Sequence, residues 1–176
     1  MKRLATILGV ATLMLAIVPT TFAASKPTQS IVQIASANGN FKTLLAAVGC
    51  ADPAVGKALT GTADLTVLAP TDGAFAKLGL NPNNVCTALS KSKLTRILLY
   101  HVASGELLSG QVLPAKWSGI NTIHTLNGQP VWAIRNGTLF TTSGGTAKIL
   151  VKEKLFDIRA TNGVIHVIDS VLLPRL

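Results

Sequence analysis

The sequence predicts an α+β domain, helices first and strands after, on three observations. Before Gly105 the apolar residues recur at helical spacing, and after it they alternate in runs broken by Asn127-Gly128, Asn136-Gly137 and Asn162-Gly163. One run ahead of the change, TVLAP at residues 66–70, is extended in character and suited to join the later strands in a sheet. No repeat, heptad or low-complexity block interrupts residues 31–174, so the chain reads as a single domain.

Residues 24–30 read as a flexible lead to a domain spanning 31–176. Ile31, Val32, Ile34 and Ala35 suit a short helix ended by Asn38-Gly39, and Asn40 is placed to cap a second helix carrying Phe41, Leu44, Leu45 and Val48. Thr66 to Ala69 favour a buried strand that Pro70 stops. Thr71 and Asp72 follow it, where a catalytic loop and a strand-to-helix joint are both open. As a joint, Thr71 would accept hydrogen bonds from the first N–H groups of a helix whose stripe is Phe75 and Leu78 and whose end is Gly79. A further helical stretch runs from about Val85 to Leu89. Ser92 then offers a cap for KLTRILLYHV, in which Leu94, Ile97, Leu98 and His101 fall on one stripe. Beyond Gly105, PVWAIR, TLFTT, KILVK and VIHVIDSVLL read as strands, and Ser143-Gly144-Gly145-Thr146 as a turn.

Residues 1–23 have the composition of a secretory signal peptide: Lys2 and Arg3, an apolar run from Leu4 to Val18, then a small-residue cleavage site ending at Ala23. The run is too short for a membrane span, and no later one is long enough, so the expectation is a secreted or periplasmic protein without a transmembrane anchor. Lys2 and Arg3 carry only two of the formal net charges of +9, so the exported part is itself basic. Export makes nucleic acid an unsuitable physiological partner. Anionic envelopes and acidic polysaccharides remain. Cys50 and Cys86, alone in the chain, are expected to form one disulfide in an oxidising compartment, being too far apart for the paired spacing of zinc ligands.

Three segments coincide in order and spacing with a known pattern. TVLAPTDGAFAKL (66–78), ILLYHV (97–102) with Gly105 soon after, and ATNGVIHVIDSVLLP (160–174) resemble the first conserved segment, the Tyr-His segment and the last conserved segment of the fasciclin domain family. The resemblance covers residues 31–174 and implies a wedge-shaped β-sheet core flanked by short α-helices, in extracellular or surface proteins associated with adhesion. Single-domain exported members of this kind resemble the bacterial branch. Gly73 stands where many members have Glu, which removes a reciprocal capping box from Thr71. Leu68 replaces a common Phe and keeps the position apolar.

The resemblance also marks binding residues. Its Tyr-His segment, linked to integrin-dependent adhesion in animal members, falls on Tyr100 and His101, and a second adhesive segment on Asp157 and Ile158. Read from the stripe alone, His101 is a core residue bonded to Thr71, Asp72 or a backbone carbonyl, and Tyr100, off the stripe, is the exposed one. Phe156 and Ile158 alternate as in a half-buried strand that turns Asp157 the other way. Asn162, Gly163 and His166 read as structural, the last because it lies inside VIHVI.

Catalysis has little support: no G-x-S-x-G elbow occurs, and His101, His124 and His166 lack H-x-x-x-H or H-E-x-x-H spacing. No metal or other cofactor is called for. Two basic clusters, Lys91, Lys93 and Arg96 and then Lys148, Lys152 and Lys154, could hold an acidic glycan, with Trp117 as a platform for sugar stacking. The function expected is thus a secreted non-catalytic adhesion or matrix-binding module, weakly self-associating, whose partner is an extracellular or cell-surface protein or an acidic polysaccharide. A secreted hydrolase or small-ligand-binding protein on the same fold is the alternative. A deep pocket with polar groups would favour it.

Overall fold

The computed structural model describes residues 26–175 apart from 117, 152 and 154; the leader, Trp117, Lys152 and Lys154 lie outside the described residues. Seven short helices and eight strands follow in the order α1 (Ile31–Ala37), α2 (Lys42–Cys50), α3 (Pro53–Thr60), β1 (Leu65–Pro70), α4 (Asp72–Ala76), α5 (Val85–Ala88), α6 (Lys91–Tyr100), β2 (Val102–Ser104), α7 (Ser109–Val112), β3 (Ile120–His124), β4 (Pro130–Ile134), β5 (Thr138–Phe140), β6 (Thr146–Lys148), β7 (Ile158–Ala160) and β8 (Gly163–Ile168). The α+β reading holds, with a refinement. The strands form two four-stranded sheets, ordered β2-β1-β8-β7 and β3-β4-β5-β6.

The first sheet is the middle layer. β1 pairs in parallel with β8, from Leu65 opposite Gly163 to Pro70 opposite Ile168, and every residue of both strands is buried. Burial on both faces is why TVLAP and VIHVI read as continuous apolar runs and do not alternate. Leu65, Val67, Ala69, Ile165 and Val167 face the helices, packing with Phe41, Val55 and Leu98. Leu68 and Ile168 face the second sheet, packing with Ile123, Val131, Leu139 and Leu172.

Each Asn-Gly pair lies in a hairpin: 127–128 joins β3 to β4, 136–137 joins β4 to β5, and 162–163 joins β7 to β8. Gly137, at φ 84°, has the left-handed backbone that the last residue of the three-residue connection from Arg135 to Gly137 needs.

Several local expectations change. The cap of α6 is Ser90, whose side chain accepts from Lys93 N–H, so the helix starts before Ser92. Phe41, and not Asn40, occupies the N-cap of α2 and supplies no side-chain cap. Leu78 is exposed, because α4 ends at Ala76 before a second turn can bring it inward. α3 and α7 are additional helices. Asp52 caps α3 through Ala54 N–H ahead of Pro53 at the first helical position, a local signal present in the sequence.

Candidate functional site

The residues marked by sequence fall into an interior group and a surface group. The interior group begins at the end of α6. His101 is 2% exposed; the main-chain N–H of Leu172 donates to its Nε2 at 2.9 Å, and its Nδ1 lies 2.8 Å from the Ile97 carbonyl. A ring nitrogen that accepts carries no proton, so the imidazole is neutral with hydrogen on Nδ1, which donates to Ile97. Of the partners expected for His101, a backbone carbonyl is the one found, and Thr71 and Asp72 are engaged elsewhere. Burial lowers its pKa to about 4, against a smaller opposing effect of the Ile97 carbonyl.

Tyr100 is fully buried, contrary to the exposure expected of it. α6 is covered on two sides: Leu94 and Leu98 join the helical cluster, while Tyr100 reaches the cluster between the sheets. Its hydroxyl donates to the Pro130 carbonyl at 2.8 Å and accepts from Thr142 N–H at 3.1 Å. Neither Tyr100 nor His101 is therefore presented as a surface contact.

Asp157 and His166 do meet, and bring Ser109 with them. Asp157 has φ 52°, a left-handed conformation that Asp tolerates, and it precedes β7 instead of lying in the expected strand. Its carboxylate accepts from Ser109 N–H at 2.6 Å and from Ser109 Oγ at 2.5 Å, closing the start of α7. His166 accepts at Nδ1 from Asp157 N–H at 3.3 Å and donates through Nε2 to the Leu107 carbonyl at 2.8 Å. Burial, its largest influence, lowers the His166 pKa, with the Leu107 carbonyl and Asp157 opposing. Serine, aspartate and histidine thus come together in the wrong order for nucleophilic catalysis. The serine hydroxyl is spent on the carboxylate, and the imidazole has no free nitrogen to take its proton. Ile158 is half-buried opposite Ile165.

Thr71, Asp72, Asn162 and Gly163 are structural. Thr71 Oγ1 accepts from Ala74 N–H and caps α4. Asp72 reaches across to the uncapped start of α2, accepting from Thr43 N–H at 2.7 Å and Lys42 N–H at 3.3 Å. Asn162 is 4% exposed; Oδ1 accepts from Ile31 N–H, and Nδ2 donates to the carbonyls of Leu59 and Gly61. A Cβ on Gly163 would overlap the Leu65 backbone, which explains the glycine at this register position. Cys50 and Cys86 are joined, linking α2 to α5 with Cα atoms 5.7 Å apart.

An apolar cavity of about 50 Å³ lies among α1, α2, α3 and the first sheet, lined by residues including Ile31, Phe41, Val55 and His101. Ligand pockets run to about 300–1,000 Å³ with convergent polar groups, so this space is a packing gap. Among the described residues no group of three or more His, Cys, Asp or Glu could hold a metal ion, and no helix is long and apolar enough to cross a membrane.

At the surface, Lys91, Lys93 and Arg96 are exposed along α6, and Lys148 is exposed on β6. The Arg96 guanidinium donates to the Arg175 carbonyl at 3.3 Å, and Gln129 clasps the same residue through its N–H and carbonyl, strapping the chain end between α6 and the second sheet. One feature escaped the sequence reading. The outward residues of β3 to β6 include Ile120, Trp132, Ile134 and Phe140, with Trp132 opposite Thr122 on one side and Phe140 on the other. Strict alternation in INTIH and PVWAI was the signal: Ile123, Val131 and Ala133 turn inward, so their neighbours must turn out.

Comparison with known proteins accords with this architecture. The chain is 35% identical over 156 residues to Protein sll1483 of Synechocystis, covering 88% of this chain and 78% of that protein. Against the transforming growth factor-beta-induced protein ig-h3 of Sus scrofa it is 31% identical over 148 residues, 84% of this chain but 20% of that protein. A FAS1 domain pair from the insect cell adhesion molecule fasciclin I has a similar fold, with TM-score 0.56 and 23% identity over 77% of this chain and 46% of that one. The fasciclin domain itself matches residues 39–174, nearly the whole of the two-sheet core, and the chain belongs to the fasciclin domain family.

Proposed function

We propose that this protein is an exported, non-catalytic adhesion module that attaches to an acidic polysaccharide of an extracellular surface. The observation that carries the reading is how the reactive side chains are used. His101, His166, Asp157, Ser109 and Asp72 are each bonded to backbone or to one another in ways that fasten elements together, so the one place where serine, aspartate and histidine meet offers a hydrolase no available base. Adhesion is the role named for the insect molecule of similar fold, and the leader read at residues 1–23 supplies the route outward. The cations of α6, Lys91, Lys93 and Arg96, supply long-range attraction towards an anionic polymer, and contact through one small face gains strength only through many copies or weak self-association.

The test is retention of the processed protein on immobilised polygalacturonate from low to high salt. Retention should fall steeply, because exposed charges are screened over about 8 Å at physiological ionic strength. Reversing Lys91 and Lys93 to Glu, neither of which the structure uses as a strap, should weaken it with the fold intact. Hydrolysis of the polymer, or salt-independent retention, would overturn the reading.

A further inference from the structure

We infer that the outer face of the β3–β6 sheet is the polysaccharide-binding surface, with Trp132 and Phe140 as the stacking platform; this rests on the adhesion reading above. The pairing places Thr122, Trp132, Phe140 and Thr146 in one row across four strands. Ile120 and Ile134 stand opposite each other in the next row, and Thr138 faces Lys148. Ile120 is 65% exposed and Phe140 39%. With the half-buried Trp132 and Ile134 they form a contiguous apolar patch, the kind of surface feature that marks contact sites where single exposed side chains do not. An aromatic pair flanked by hydroxyls suits a sugar, whose C–H face stacks on the rings while its hydroxyls bond to threonine.

Charge and size select the occupant. The outward residues of the four strands, which also include His124 and Pro130, contain no Asp or Glu, and Lys148 closes one edge. Arg135, exposed just after β4, adds a second positive charge near the face, with one guanidinium nitrogen donating to the Ala115 carbonyl. The carboxylate bonded to Lys148 N–H, that of Asp169, lies 3.7 Å from Lys77 Nζ. Four strands about 4.8 Å apart, with up to five residues at about 3.3 Å each, give a footprint of roughly 300 Å². A stable protein interface needs about 800 Å² per partner, so neither a second copy nor a folded protein fits as well as a narrow anionic polymer.

The experiment uses the processed chain carrying Trp117→Phe, which leaves Trp132 as the one tryptophan. Titration with polygalacturonate at low salt should shift Trp132 emission saturably, and dextran should bind about tenfold more weakly or not at all. Phe140→Ser and Lys148→Glu should each weaken binding by about tenfold, the first with a modestly lowered unfolding midpoint from the lost pairing with Trp132 and the second with the midpoint unchanged. Retention on polygalacturonate with unmoved Trp132 emission and a fully active Phe140→Ser variant would overturn this site and leave the adhesion reading standing. No retention of the wild-type chain would overturn both. Equal binding of dextran would overturn the acidic class, and a dimer abolished by Phe140→Ser would assign the face to a second copy.

Discussion

His101 and Leu172 are joined by a hydrogen bond that only a neutral imidazole can accept, from the Leu172 N–H to Nε2 at 2.9 Å. The bond ties the end of α6 to the final segment of the chain, and it makes stability depend on pH. His101 titrates at about 4 when folded and near 6.5 when unfolded, so between these values the unfolded chain binds more protons. Stability should therefore be full above pH 6.5 and fall as the pH drops towards 4, by roughly 3 kcal/mol for this residue. His166, also lowered, acts in the same direction. Urea unfolding at a series of pH values checks this. His101→Ala should cost about 1–3 kcal/mol at pH 7.5 and flatten the slope below 6.5; a slope unchanged in that variant would assign it to other groups.

Asn162 and Gly163 form the second dependence, between the β7–β8 turn and the helical layer. Asn162→Ala should destabilise by about 1–3 kcal/mol or more, since Ile31 N–H and the carbonyls of Leu59 and Gly61 all lose a partner. Gly163→Ala should be worse, at about 3 kcal/mol or above, because both its φ of 137° and the Leu65 backbone oppose a side chain. Thermal unfolding ranks the two; normal stability in the Gly163→Ala variant would mean that β1 and β8 are not held in this register.

The end of α6 and the β7–β8 turn mark what the sequence could and could not disclose. Asn-Gly punctuation and the switch from helical to alternating spacing are local signals, so the hairpins, α1 and α6 were legible. The split into two sheets was not, because it depends on which strand edges meet, and Leu65 pairs with Gly163 from the far end of the domain. The burial of Tyr100 escaped for the same reason: one helical stripe predicts one covered face, while α6 has a second face under the other sheet. Asp157 followed its strand-like neighbours in the sequence and was turned out of register by Ser109. The outward row of Trp132 and Phe140 was implicit in the alternation, but assembling it needed the cross-strand register.

The joint after β1 makes a third prediction. Asp72→Ala should destabilise by about 0.5–2 kcal/mol by exposing the start of α2, and Thr71→Ala by a similar amount through α4. Hydrogen exchange separates them: Lys42 and Thr43 amides should lose protection in the Asp72 variant alone, and the Ala74 amide in the Thr71 variant. Equal loss at both places in either variant would mean that the two helices open as one unit.

The disulfide provides the last prediction, and it bears on where binding occurs. Cys50 and Cys86, separated by 36 residues in sequence, close a loop between α2 and α5 worth about 4 kcal/mol in the chain-entropy account. A domain of this size has about 5–15 kcal/mol of stability, so the paired Cys50→Ala, Cys86→Ala chain should remain folded at low temperature with a clearly lowered unfolding midpoint. Both cysteines lie in the helical layer, whereas the outer face of the β3–β6 sheet is separated from them by the first sheet and two apolar clusters. Polygalacturonate affinity measured at 15 °C should consequently match that of the oxidised wild type. Loss of affinity in a variant still shown to be folded by its near-ultraviolet spectrum would move the contact to the helical side, with Lys91, Lys93 and Arg96 as the residues to follow.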